Sequence, residues 1–146
     1  MNIRLLIPAL LCVGAALTAC NAAESDWNAA KAANTMAAYQ TFLQKYPGNE
    51  HADNAQGRIL SLKDERAWSD AQTINTIAAY QGYLTAESGG VHAGEAKYHI
   101  TALQRAIDWK AIPNDASAEV LQAFLTKYPQ GIESNEARDR LKRGHP

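Results

Sequence analysis

Hydrophobic and polar positions recur along the chain with a period of 41 residues. Trp27, Trp68 and Trp109 mark this period, because 41 positions separate each tryptophan from the next. The same shift superposes the identical tetrapeptide Ala-Ala-Tyr-Gln at 37–40 and 78–81. A fixed period of this size is typical of repeat architectures, in which neighbouring copies stack to bury a continuous core. The pattern therefore predicts three copies of one structural unit.

Each copy predicts a short helix followed by a longer one. In the first copy, Pro47 and Gly48 end the short helix, because the residue before proline is disfavoured in helical geometry. The apolar stripe of that short helix consists of Ala38, Tyr39, Phe42, Leu43 and Tyr46. The longer helix carries apolar residues at alternating steps of three and four, which are Ala52, Ala55, Ile59 and Leu62. The predicted fold is all-α, with three degenerate helix hairpins within residues 27–146.

Two sets of equivalent residues sharpen this expectation. A hydroxyl side chain begins the short helix in each copy, where it can accept a hydrogen bond from a free N–H of the first turn. These hydroxyl residues are Thr35, Thr76 and Ser117. One leucine position of the apolar stripe is also unchanged, and we expect its three members to be buried: Leu43, Leu84 and Leu125.

The first 19 residues follow a different pattern. A positive charge at Arg4 precedes an apolar run from Leu5 to Ala19, which is 15 residues long. This run is shorter than the ~20 residues that span a bilayer. Its length and its positive flank are typical of a secretory signal peptide, so we assign residues 1–19 to such a segment.

The end of this segment, Leu17-Thr18-Ala19-Cys20, resembles the lipobox of bacterial lipoproteins. The resemblance implies cleavage before Cys20 and acylation of its thiol, so that residues 20–26 form a lipidated tether. At most ~3.6 Å per residue, an extended tether reaches about 20–25 Å. Asn21, in place of the Asp that holds such proteins at the inner membrane, implies an outer-membrane location on the periplasmic side. The alternative is an ordinary signal peptide whose cleavage site lies near a cysteine.

The alternation of short and long helices, with the stretch from Tyr39 to Pro47, resembles tetratricopeptide-like repeats of bacterial envelope proteins. It is similar to repeats in the lipoprotein of the outer-membrane β-barrel assembly machinery and in the coordinator of the Tol–Pal system. The period of 41 residues differs from the usual 34, and the Trp-x-x-Leu-Gly pattern is absent. The resemblance implies a short right-handed solenoid whose first helices line a concave, partner-binding face.

Composition and motifs narrow the classes of function. The net charge is -1, so no overall positive field favours a nucleic-acid partner. The sequence has no nucleophile-elbow motif and no phosphate-binding glycine loop, and we predict neither an enzyme nor a cofactor. His92, Glu95 and His99 could share a helix face, but their spacing differs from that of catalytic zinc sites. His51 occupies the equivalent of His92, which favours a repeat position over a metal ligand, so we predict no metal site.

One polar position is unchanged in all three copies, and its members are Gln40, Gln81 and Gln122. On stacked first helices these glutamines align beside the aromatic stripe, which makes them candidate partner-binding residues. The alternative is a local role, in which each amide binds a neighbouring helix end. We therefore expect a non-enzymatic adaptor for another envelope protein, held at the membrane through Cys20. A binder of small ligands, such as peptides or cell-wall fragments, is the alternative, and an unrecognised hydrolase is the least favoured.

Overall fold

The computed structural model describes residues 13–144, with side chains described from residue 21 onward. This part of the chain contains seven α-helices and no strand. They are α1 (Val13–Ala33), α2 (Met36–Lys45), α3 (Ala52–Ile74), α4 (Ile77–Ala86), α5 (Ala93–Lys110), α6 (Ala118–Lys127) and α7 (Ile132–Lys142). The all-α prediction is confirmed for these residues. Most of the proposed signal peptide, up to residue 12, lies outside the described residues.

The predicted period recurs in the helices themselves. The short helices α2, α4 and α6 each have ten residues, and their first residues are Met36, Ile77 and Ala118. Those first residues are separated by 41 positions, as the tryptophans are. No helix among the described residues is long and apolar enough to cross a membrane.

The starts of α2 and α4 share a local structure that their sequence explains. Asn34 and Asn75 adopt left-handed backbone angles, with φ of 46° and 49°. Asparagine tolerates this region better than most residues do. The next residue then caps the helix, because Thr35 Oγ1 accepts a hydrogen bond from the Ala38 N–H at 3.2 Å, and Thr76 does the same for Ala79.

The side chains of the same asparagines anchor the first buried tyrosines. Tyr39 donates its hydroxyl hydrogen to Asn34 Oδ1 at 3.2 Å, and Tyr80 donates to Asn75 Oδ1 at 3.0 Å. The equivalent pair before and within α6 is apolar, because Ala116 and Leu121 occupy those positions and both are buried. At the start of α6, both members of the asparagine–tyrosine pair are therefore replaced by apolar residues.

The third predicted cap is wrong. Ser117 precedes α6 with extended backbone angles, but its side chain makes no capping hydrogen bond. The interaction of the Ser117 hydroxyl with the Glu119 carboxylate is the main cause of the lowered pKa of Glu119.

The tether predicted for residues 20–26 is not extended, since these residues lie within α1. At 1.5 Å per residue, seven helical residues span about 10 Å, which is roughly half of the expected reach. Glu24 and Asp26 also contact side chains that follow α1 in the chain, namely His51 and Lys45. The segment therefore belongs to the folded part of the protein.

The chain divides into two compact units, Met1–Glu65 and Arg66–Pro146. The first unit contains one hydrophobic cluster, cluster one, with buried residues Trp27, Ala30, Tyr39, Phe42 and Ala55. The second unit contains two clusters. The buried residues of cluster two are Trp68, Ala71, Tyr80, Tyr83 and Ala96. Those of cluster three are Leu121, Phe124, Tyr128 and Ala137.

The leucine position predicted to be buried is only partly buried. Leu43, Leu84 and Leu125 pack against the edges of the three clusters, and each keeps part of its surface exposed. The deepest positions of the short helices lie one and four residues earlier, at pairs such as Tyr39 with Phe42 and Tyr80 with Tyr83. Aromatic rings therefore form the centre of each core, and the leucines border it.

Candidate functional site

The three candidate glutamines are all exposed on the short helices. Gln40, Gln81 and Gln122 each follow a buried residue directly, and each side chain points to solvent. None of the three side-chain amides makes a hydrogen bond to another described residue. The alternative local role, with each amide bound to a neighbouring helix end, therefore finds no support in the described part of the chain.

Trp27 and Trp68 lie in the hydrophobic cores together with their aromatic neighbours. Trp27 is 7% exposed, and its ring centre lies 5.8 Å from that of Tyr39 and 5.3 Å from that of Phe42. Trp68 repeats this arrangement with Tyr80 and Tyr83, at 5.7 and 5.3 Å. Tilted aromatic pairs at these distances stabilise a core beyond the area that they bury. Buried rings of this kind offer no stacking surface to a ligand.

The histidines pack on the same rings. His51 stacks on Trp27 at 4.9 Å, and its Nε2 lies 2.8 Å from Glu24 Oε2. This contact with His51 is the main cause of the lowered pKa of Glu24. Its equivalent, His92, stacks on Trp68 at 4.8 Å, in a matching arrangement.

The suggested metal-binding residues have other contacts. His92 Nδ1 lies 3.3 Å from Glu95 Oε1, and the His99 ring stacks on Tyr80 at 4.8 Å. Within residues 13–144, no group of three or more His, Cys, Asp or Glu side chains could hold a metal ion. The imidazole rings of His92 and His99 instead stack on the aromatic rings of Trp68 and Tyr80.

An ion-pair motif that the sequence analysis missed occurs in clusters one and three. Asp26 Oδ2 accepts hydrogen bonds from Lys45 Nζ at 2.6 Å and from the Tyr46 hydroxyl at 2.9 Å. Asp108 repeats the arrangement with Lys127 and Tyr128, both at 2.7 Å. The equivalent residues between these two sets are Ala67, Ala86 and Glu87. The sequence did contain a signal for this motif, because its Asp, Lys and Tyr residues recur together after two periods of 41 residues.

The carboxylate of Asp108 is held strongly in its charged form. Hydrogen bonds from Lys127, Tyr128 and Gln104, in that order of effect, lower its pKa from 3.8 to about 2. A group whose pKa is lower in the folded state stabilises the fold above its ordinary pKa. That contribution is lost as the pH falls through about 2.

We therefore expect acid to destabilise the protein partly through Asp108. Between pH 4 and pH 2, the Tm of the wild type should fall more steeply than that of the Asp108→Asn variant, which has no carboxylate to protonate. Thermal unfolding at constant ionic strength measures both slopes. Asp115→Asn, which changes an exposed carboxylate of the same unit, is the matched control. Equal slopes for the wild type and Asp108→Asn would show that the hydrogen-bonded carboxylate does not govern this acid sensitivity.

The first unit also contains a groove between α1 and α2, with a volume of about 420 Å³. Its lining is mostly apolar and small, with one acidic and one basic residue. The lining residues are Asp26, Ala29, Ala30 and Ala33 of α1, and Ala38, Thr41, Phe42 and Lys45 of α2. The volume lies within the range of small-molecule sites, which is about 300–1,000 Å³.

Comparisons of the chain with protein-family models, with curated proteins and with solved structures give no match. The functional conclusions below therefore depend on the residues of this chain and their geometry.

Proposed function

We propose that the protein is a non-enzymatic adaptor of the bacterial cell envelope, which binds another envelope protein through its short helices. The observation that supports this proposal is the repeated exposed glutamine of α2, α4 and α6. A glutamine amide offers two donors and an acceptor, so it can bind both N–H and C=O groups of a partner chain. In this proposal the helix pairs stack as a short right-handed, tetratricopeptide-like solenoid, with the glutamines on its concave face.

The glutamine proposal predicts a separation of folding from binding. The triple variant Gln40→Ala, Gln81→Ala, Gln122→Ala should stay folded, because each exposed change costs about 0.5 kcal/mol or less. It should lose the partner that the wild type recovers from a detergent-solubilised envelope. Thermal unfolding and partner recovery, identified by mass spectrometry, are measured on the same preparations.

A matched control uses the same chemistry elsewhere on the chain. Gln56→Ala with Gln72→Ala changes two exposed glutamines of the long helix α3 and should retain the partner. Loss of the partner in both variants would indicate a general surface effect. Strong destabilisation of the triple variant would instead make the repeated glutamines structural.

We further propose that the protein is anchored to the outer membrane, on its periplasmic side, through acyl chains on Cys20. The lipobox-like residues before Cys20 and the Asn21 that follows support this location. Because the residues after Cys20 continue as helix α1, such an anchor would hold the first unit close to the bilayer. No nucleic-acid partner and no cofactor enters the proposal.

The anchor predicts a labelling result. Metabolic labelling with a palmitate analogue should mark the wild type and leave the Cys20→Ser variant unmarked, because the variant lacks the thiol that is acylated. Cys12→Ser is the matched control, since Cys12 would leave with the signal peptide. Equal labelling of the wild type and Cys20→Ser would refute lipidation at this residue.

The alternative function, a binder of small ligands such as peptides or cell-wall fragments, requires a pocket. The groove between α1 and α2 supports this alternative, because its volume of about 420 Å³ could accept a small ligand.

A further inference from the structure

The loop between α2 and α3, residues 46–51, is held against α1 at both of its ends. At its first residue, the Tyr46 hydroxyl donates a hydrogen bond to Asp26 Oδ2 at 2.9 Å. At its last residue, His51 places its Nε2 2.8 Å from Glu24 Oε2. The loop therefore lies beside the part of α1 that precedes the first tryptophan, and not beside the C-terminal end of this helix.

The loop also contains hydrogen bonds of its own. The Asn49 N–H donates to the Tyr46 carbonyl at 3.2 Å, and the Ala52 N–H donates to the Asn49 carbonyl at 2.9 Å. The side chain of Asn49 contributes as well, because its Oδ1 accepts a hydrogen bond from the His51 N–H at 2.9 Å. Local contacts therefore define the backbone of the loop, and its two ends fix its position relative to α1.

The direction of α2 places this loop at the same end of the first unit as Cys20. α2 starts shortly after α1 ends, and its last residue, Lys45, donates to Asp26 Oδ2 at 2.6 Å. α2 therefore runs antiparallel to α1, toward the residue that is predicted to be acylated. α3 then leads away from this end, since Arg58 Nε donates to Asn34 Oδ1 at 3.1 Å.

The distance from Cys20 to the loop matches the thickness of a lipid headgroup layer. Cys20 and Glu24 are four residues apart in α1, which corresponds to ~6 Å along its axis. The polar layer on each side of a bilayer is about 5–8 Å thick, because the hydrocarbon core measures about 30 Å and the whole bilayer about 40–45 Å. With the acyl chains of Cys20 in the hydrocarbon, Glu24 and the loop bound to it lie at the level of the headgroups.

We infer that the α2–α3 loop contacts the zwitterionic phospholipid headgroups of the membrane that the anchor enters. The inference rests on the proposed acylation of Cys20, and it names the part of the folded chain that meets the lipid. The outward residues of the loop, Pro47, Gly48 and Glu50, are exposed. The headgroups are assigned as zwitterionic because the loop contains no Lys or Arg that could bind an anionic one. Lys45, directly before the loop, already pairs with Asp26.

The test uses a fluorescent label on the acylated protein. Once Cys12 has left with the signal peptide and Cys20 is acylated, an introduced cysteine is the only free thiol. Gly48→Cys places a bimane label in the loop, where a Cβ meets no atom within 4 Å. Ala37→Cys is the matched control, an exposed residue in the first turn of α2 and ~12 Å along the axis from Lys45. Both proteins are reconstituted in phosphatidylcholine vesicles that contain a lipid with a nitroxide on its headgroup.

The nitroxide should quench most of the bimane emission at position 48 and little of it at position 37, because quenching requires close approach. Circular dichroism checks that both variants are folded, and Glu50→Cys provides a second, exposed label position in the loop. Intact-mass spectrometry measures acylation in the same samples. In an acylated protein, equal quenching at positions 48 and 37, or none at 48, would overturn the inference and leave the anchor intact. A protein without acyl chains would refute the anchor, and the inference with it.

A second variant tests whether the helical connection sets the position of the loop. Insertion of three Gly-Ser pairs between Asn21 and Ala22 separates the anchor from the rest of α1 by a flexible segment with a root-mean-square length of about 12–15 Å. Quenching at position 48 should then fall toward that at position 37. Unchanged quenching would show that the loop binds lipid without the helical connection, which contradicts the inference. Stronger quenching after addition of phosphatidylglycerol would contradict the assignment to zwitterionic headgroups.

Discussion

Replacing Trp68 with alanine is expected to lower the free energy of unfolding by about 3–5 kcal/mol, the range for large buried aromatic residues. Trp68 is 6% exposed and contacts four rings, those of Tyr80, Tyr83, His92 and His99. Its ring centre lies 5.7 Å from that of Tyr80, 5.3 Å from Tyr83 and 4.8 Å from His92. The His99 ring lies 5.9 Å away, and removal of the indole leaves all four rings beside a cavity. Urea unfolding followed by circular dichroism measures the loss.

The chain offers a matched variant at the equivalent position of cluster three. Trp109 is only partly buried, and the Arg140 guanidinium lies over its ring at 4.3 Å. Trp109→Ala should therefore cost less than Trp68→Ala, because less area is lost and the arginine can cover part of the space. Equal losses in the two variants would contradict the burial difference. A loss below about 1 kcal/mol for Trp68→Ala would contradict the assignment of this residue to the core.

The second large effect is expected for Gly131→Ala. Gly131 precedes α7 with φ of 127° and ψ of 172°, a region that is essentially restricted to glycine. A Cβ at this position would also overlap the guanidinium of Arg105. The backbone strain alone is expected to cost about 1–3 kcal/mol.

The overlap adds to this cost because Arg105 has a specific partner. Its Nε donates to Glu133 Oε2 at 2.6 Å, and both side chains are less than one-fifth exposed. Arg105 is also the main cause of the lowered pKa of Glu133. Gly89→Ala is the control, because a Cβ at Gly89 meets no atom within 4 Å. Similar Tm values for the two alanine variants would show that neither the strain nor the displaced arginine matters.

The period of the sequence predicted the short helices well because their ends depend on local residues. The boundaries of α2 and α4 follow from an asparagine–threonine pair at the start, whose threonine caps the N–H three residues later. The Ser117 cap was wrong although its backbone angles are extended, as those of Thr35 and Thr76 are. Whether a hydroxyl accepts the capping hydrogen bond depends on its side-chain rotamer, which hydrophobic patterning does not specify.

The depth of burial was harder to predict than the stripe itself. An apolar stripe identifies the inner side of a helix, but it does not rank its members. Tyr39 and Phe42 reach the centre of cluster one because their rings contact Trp27, while Leu43 lies at its edge. The depth of burial of each residue on the stripe depends on where the neighbouring helix places its tryptophan. That position is a feature of the tertiary structure.

The exposure of the three glutamines is consistent with the same stripe, since each lies about 100° around its helix from the buried residue before it. The groove did not follow from it. Alanines are compatible both with close helix packing and with a groove between helices, and the sequence does not distinguish the two.

The asparagine–tyrosine pairs at the starts of α2 and α4 limit how this protein could be recombined or redesigned. A tyrosine grafted at Leu121 alone would place its hydroxyl in a fully buried site, next to an Ala116 that cannot accept its hydrogen. A consensus library that averages each column separately would generate such mismatches frequently. Exchanging both positions together gives every tyrosine hydroxyl its asparagine acceptor. The two residues of each pair should therefore be varied together in a redesign.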